Sequence, residues 1–124
     1  MSKLSMQIQL SWTDPETGTL RQPLLDTPVA LGRDFTAMPG VLDGQRVSRV
    51  VLADDRVEPF QALIVEQDGE LLISNQASRN PLQINDVVLP SSTLLDGDRI
   101  QIGAVQVQVI LQSGIASESI NTNG

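Results

Sequence analysis

A chain of 124 residues with 40% hydrophobic content holds one modest core, and with one Trp, two Phe and no Tyr that core falls to Val, Ile and Leu, the types that suit pleated sheets. Eight Lys and Arg against fifteen Asp and Glu give a net charge of −7, which argues against nucleic acid or an anionic membrane as partner, since both require phosphates to be neutralised. Cys and His are absent, and with them thiol nucleophiles, imidazole bases, Ser-His-Asp triads and the usual zinc ligands; neither an enzyme nor a cofactor is expected.

Residues 6–12 alternate polar and apolar, and after the turn-forming Asp14-Pro15-Glu16-Thr17-Gly18 the chain resumes over 19–25, which reads as a β-hairpin. A short apolar strand, Val29-Ala30-Leu31, ends at Gly32-Arg33. Residues 34–49 are polar, turn-rich and without a period, so a long, poorly ordered loop is expected there. Val50-Val51-Leu52 is the next strand. The runs 61–66 and 70–74 are joined through Asp68-Gly69, a strong hairpin signal.

Shorter strands are predicted at 82–84 and 87–89, and a final pair at 98–102 and 105–111. In the last of these Val105, Val107 and Val109 alternate with Gln106, Gln108 and Ile110, which buries one face only. Some ten or eleven short, mostly antiparallel strands in two sheets make an all-β sandwich over residues 1–111. Residues 112–124 are small and polar, and read as a flexible tail or linker. The first ten residues lack the continuous apolar run of a signal peptide and no stretch is long enough to span a bilayer, so a cytoplasmic location is expected.

Four fragments, in this order, resemble the forkhead-associated (FHA) domain, a phosphothreonine-peptide-binding β-sandwich. They are Leu31-Gly32-Arg33; the stretch from Val50-Val51-Leu52 through Asp54-Asp55 to Val57-Glu58-Pro59-Phe60-Gln61-Ala62; Ser78-Arg79-Asn80-Pro81 with Asn85-Asp86; and Leu95-Asp96-Gly97-Asp98-Arg99-Ile100 closing at Gly103. Val47-Ser48-Arg49 also spells the family's Val-Ser-Arg. Using it would put Val51 at the family's His and leave 50–56 as an unexplained insertion, so Glu58 is aligned with the phosphate-contacting Ser instead.

The resemblance implies a protein-interaction module of the signalling kind, binding a protein or a phosphothreonine-containing peptide through loops at one end of the sandwich. Arg33 and Asn80 stand at the family's phosphate-contacting Arg and peptide-holding Asn. Glu58 replaces the Ser, Pro59 the following Arg, and Gln61 the loop-bracing His, whose donor and acceptor it retains. Pro81 and Asp86 replace glycines, so the turns there are expected to differ.

A carboxylate beside a phosphate adds repulsion where a hydrogen bond belongs, which implies weakened or altered phosphopeptide recognition. The alternative is a degenerate module that binds unmodified protein or self-associates. Arg33 is either a ligand or a structural partner of Glu58, whose carboxylate is expected to lie against the Arg33 guanidinium as an internal stand-in for phosphate. Asn80 is either a ligand or a turn-former. Arg46, Arg49 and Arg79 either pair with loop carboxylates or form an anion-binding rim. Asp96 and Asp98 read as turn residues, with no metal expected.

Overall fold

The computed structural model describes residues 6–77 and 79–111; the tail expected at 112–124 lies outside them. Alternation produces the long strands. β1 (Gln7–Thr13) turns Ile8, Leu10 and Trp12 inward. The segment 19–25 pairs with β1 in two pieces, β2 (Leu20–Arg21) and β3 (Leu24–Asp26), because Pro23 between them has no N–H to give to a ladder.

β4 (Val29–Gly32) is buried at all four positions. The stretch expected to be an irregular loop is instead folded: a one-turn 3-10 helix at Phe35–Ala37, a two-residue hairpin of β5 (Val41–Leu42) and β6 (Gln45–Arg46), then β7 (Ser48–Val51) running parallel to β4. Its turn, Asp43-Gly44 with φ of 51° and 79°, is the same Asp-Gly signal that joins β8 (Ala62–Gln67) to β9 (Glu70–Asn75) at 54° and 82°. Without a period the segment still places Met38, Leu42 and Val47 where they pack with Ala30, Phe60 and Leu63, a second apolar cluster on the outside of the sheet.

β10 (Gln83–Ile84) and β11 (Val87–Val88) follow, then β12 (Ser91–Leu94), which the sequence reading missed, β13 (Arg99–Ile102) and β14 (Val105–Ile110). Fourteen strands therefore stand among the described residues; the split at Pro23, β5, β6 and β12 account for those beyond ten. The exchange of glycine for Asp86 leaves the β10–β11 turn in the usual two-residue geometry, contrary to expectation: Asn85 and Asp86 take φ of 50° and 71°, and Arg99 Nη2 donates to Asp86 Oδ2 at 3.1 Å.

A seven-stranded sheet, ordered β11-β10-β13-β14-β1-β2 with β3 also on β1, faces a five-stranded sheet ordered β12-β9-β8-β4-β7. One core lies between, with Leu10, Ile100 and Val107 from the first sheet and Leu31, Ile64 and Ile73 from the second. At one end, the end of β4 meets the β7–β8 and β9–β10 connections, where Arg33 N–H reaches Glu58 and Gln61 reaches Asn80. The opposite end holds the β5–β6 and β8–β9 turns, whose Asp43 and Asp68 line one groove. No helix among the described residues is long and apolar enough to cross a membrane.

Candidate functional site

The end of β4 dictates the site's shape. A Cβ on Gly32 would lie 2.2 Å from the Pro59 carbonyl oxygen, so only glycine lets the 57–60 segment run this close. Two backbone hydrogen bonds hold it there, from Arg33 N–H to the Glu58 carbonyl at 2.9 Å and from Asp34 N–H to the Pro59 carbonyl at 3.3 Å. Arg33 and Glu58 are thereby neighbours. Ser48, by contrast, lies opposite Val29 at the start of β4, and its hydroxyl donates to the Asp26 carbonyl at 2.8 Å.

Arg33 does not pair with Glu58. Its Nε donates to the Val57 carbonyl at 2.9 Å, the side chain is exposed, and no carboxylate among the described residues lies within ion-pair reach. The two terminal nitrogens are thus left facing solvent. Nearby Asp34 caps the 3-10 turn: hydrogen bonds from the Thr36 hydroxyl and N–H hold its carboxyl below the usual carboxylate range.

The Glu58 carboxylate goes to Asn80 instead, whose Nδ2 donates to Oε2 at 2.7 Å. The expected carboxylate-to-guanidinium contact is therefore corrected. The physical reason is geometric: Arg33 is tethered through Nε to the Val57 backbone, while the Asn80 amide, 22 residues along the chain from Glu58, is brought across from the β9–β10 connection.

Gln61 holds these loops together. It is fully buried; its Oε1 accepts from Glu58 N–H at 3.0 Å, and its Nε2 donates to Asn75 Oδ1 at 3.1 Å and to the Asn80 carbonyl. Its own N–H and C=O are bonded to Leu31 and Gln76. A buried amide with both ends engaged carries no desolvation deficit and fixes Glu58 and Asn80 relative to each other. Asn75, which sequence reasoning passed over, completes the brace by accepting from Ala77 N–H at 3.2 Å and donating to the Ala77 carbonyl at 3.0 Å. No local pattern marks it, because its role depends on a partner fourteen residues away.

The remaining arginines do not form one rim. Arg79 is exposed beside Asn80 and has no hydrogen bond or ion pair with described residues. Arg49 lies on β7, opposite Ala30 of β4, with its guanidinium 3.8 Å from the centroid of the Phe35 ring. Arg46 is on β6, in the hairpin at the far end of β4 from Arg33, because the chain must return there to start β7 in parallel. Asp96 and Asp98 accept from Leu111 N–H and Leu95 N–H, as turn residues do, and no metal-binding cluster is found among the described residues.

A profile of the FHA domain matches residues 29–103. No curated protein matches the sequence. Among solved structures, the chain is similar to the FHA domain of the CT664 protein from Chlamydia trachomatis, with 20% identity, a TM-score of 0.66 and coverage of 86% of this chain and 99% of that one. An FHA domain solved in an analysis of phosphothreonine-dependent interactions gives 21%, 0.63, 86% and 98%. Mycobacterium tuberculosis EmbR in complex with a low-affinity phosphopeptide gives 20% and 0.59, covering 88% of this chain and 26% of that one.

Proposed function

The chain belongs to the FHA domain family, and from that premise we propose that its loop end is a protein-interaction site of the phosphothreonine-peptide type in which Glu58 weakens recognition by occupying Asn80. The 2.7 Å hydrogen bond between Asn80 Nδ2 and the Glu58 carboxylate carries this reading. The family's peptide-holding amide is engaged inside the molecule, and a negative charge stands where a hydroxyl would meet phosphate. Arg33 keeps its terminal nitrogens available, so the cationic half of a phosphate site persists.

A phosphothreonine peptide library applied to the purified domain tests the reading. The native chain binds weakly or not at all; Glu58→Ser with Pro59→Arg frees Asn80, restores the hydroxyl and gains about tenfold or more, roughly 1.4 kcal/mol per decade. Arg33→Ala in that background removes the gain. Tight, Arg33-dependent binding by the native domain overturns the proposal. Capture of an unphosphorylated peptide, lost on Glu58→Ala, would favour the second reading, in which the half-buried Glu58 carboxylate itself meets the partner.

A further inference from the structure

β7 is an edge strand of the small sheet and pairs only with β4, in parallel, so every second residue turns its backbone groups to that neighbour. Ser48 N–H donates to the Pro28 carbonyl at 2.9 Å, and Leu52 N–H, just past the strand, to the Gly32 carbonyl at 2.8 Å. The N–H and C=O groups of Arg49 and Val51 therefore point away from the sheet, and no partner takes them among the described residues. Along this open edge runs a groove of about 690 Å³ between the two sheets. Trp12, Leu25 and Val50 line it with apolar side chains, and Leu20 and Val51, 59% and 44% exposed, leave further apolar surface in contact with water.

We propose that this edge and groove bind an extended, unphosphorylated segment of a partner protein, added to the small sheet as a strand beyond β7, with apolar residues at alternate positions and a lysine or arginine beside Glu16. The backbone decides the first property: unpaired N–H and C=O groups two residues apart on an edge strand are matched by another extended chain. The groove decides the second, since alternate side chains of an added strand point to one side and here meet Trp12, Leu25 and Val50. Charge decides the third. Asp14 is paired with Arg21 and Arg49 lies over the Phe35 ring, which leaves the exposed Glu16 carboxylate in the groove wall without an ion pair among the described residues. A chain of charge −7 draws a cationic segment and repels an anionic one or a second copy of itself. This surface is separate from the loop-end site and requires neither phosphate nor Arg33.

β7 is four residues long and only Arg49 and Val51 offer outward backbone groups. The added strand gains few hydrogen bonds, so the complex is transient, with a dissociation constant between about 10 µM and about 1 mM.

Amide NMR of the isotope-labelled full chain, titrated with the capped peptide Lys-Thr-Val-Thr-Val-Thr-Lys, tests the proposal; lysine stands at both ends because the strand can run in either direction. The Arg49 and Val51 amides shift and their hydrogen exchange slows. Methylating one alternate set of the peptide's amide nitrogens weakens binding at least about tenfold and methylating the other set spares it, because only every second amide of a strand faces a given neighbour. Glu16→Lys weakens this peptide about two- to fivefold and strengthens its glutamate-ended counterpart, the span of an exposed ion pair; Glu16→Gln gives the first effect if the Lys variant does not fold. No binding at about 1 mM, shifts confined to the Arg33, Glu58 and Asn80 amides, equal sensitivity to both methylated sets, or indifference to both Glu16 variants overturns the proposal. It is equally overturned if the Arg49 and Val51 amides respond to dilution of the chain alone, which makes a second copy the occupant, or to removal of residues 112–124, which makes the chain's own end the occupant.

Discussion

At the loop end a single glutamine, Gln61, is wholly enclosed with both ends of its amide bonded to different loops, whereas on the large sheet Gln106 and Gln108 stand in solvent with no side-chain partner among the described residues. The residue type is the same and the consequence opposite. In the first region the amide is a structural tie whose loss strands the Glu58 N–H and the Asn80 carbonyl. In the second it is a neutral surface, and its loss strands nothing. Burial and partners, not chemistry alone, decide what a polar side chain is worth.

The largest effect that sharpens this contrast is expected from Gln61→Leu. The Glu58 N–H and the Asn80 carbonyl lose this side-chain partner while Asn75 Oδ1 keeps Ala77 N–H, and at about 1 to 3 kcal/mol for each stranded group the domain loses roughly 2 kcal/mol or more, read as a lower midpoint in urea denaturation. A loss below about 1 kcal/mol would break the comparison, because the brace would then be no more than packing.

Asp54 sits between the extremes. Its carboxylate accepts from Arg56 N–H at 2.7 Å and from Ala104 N–H at 3.1 Å, tying the β7–β8 connection to the β13–β14 turn. The Arg56 backbone hydrogen bond, then that of Ala104, holds its pKa below the ordinary 3.8. The folded state therefore holds this proton less tightly than the unfolded chain does. The stabilisation is full above about pH 5 and is lost as pH falls through 3.8 and below. Acid titration of stability in Asp54→Asn should show a shallower decline in that window than the native chain; an identical acid limb would sink the assignment.

The smallest effect belongs to the exposed glutamines of the large sheet. Gln106→Ala should change stability by no more than about 0.5 kcal/mol. A loss as large as that of Gln61→Leu would erase the distinction between the two regions.

Gln61 was legible in the sequence because it follows Val57-Glu58-Pro59-Phe60 at the family's His position, and an amide can both donate and accept. The partners it braces were only half legible. Asn80 lies on a recognisable fragment, but Asn75 lies in a strand with nothing local to single it out. The segment 34–49 was misread as a loop although Asp43-Gly44 carries the same turn signal as Asp68-Gly69; its flanking strands are two residues each, too short for alternation to register.

Local pattern alone determined the alternating strands β1 and β14, the two-residue turns and the order of fragments that marks the family, because each depends on residues within a few positions of one another. Tertiary structure alone decided three further matters. Glu58 reaches Asn80 and not Arg33, since both acceptor and donor are aimed by loops that meet only after the sheets have packed. Arg46 is carried to the far end of the sandwich by the parallel pairing of β7 with β4. The glutamines of four strands become one surface through a register set by non-local ladders, which alternation within a single strand does not encode.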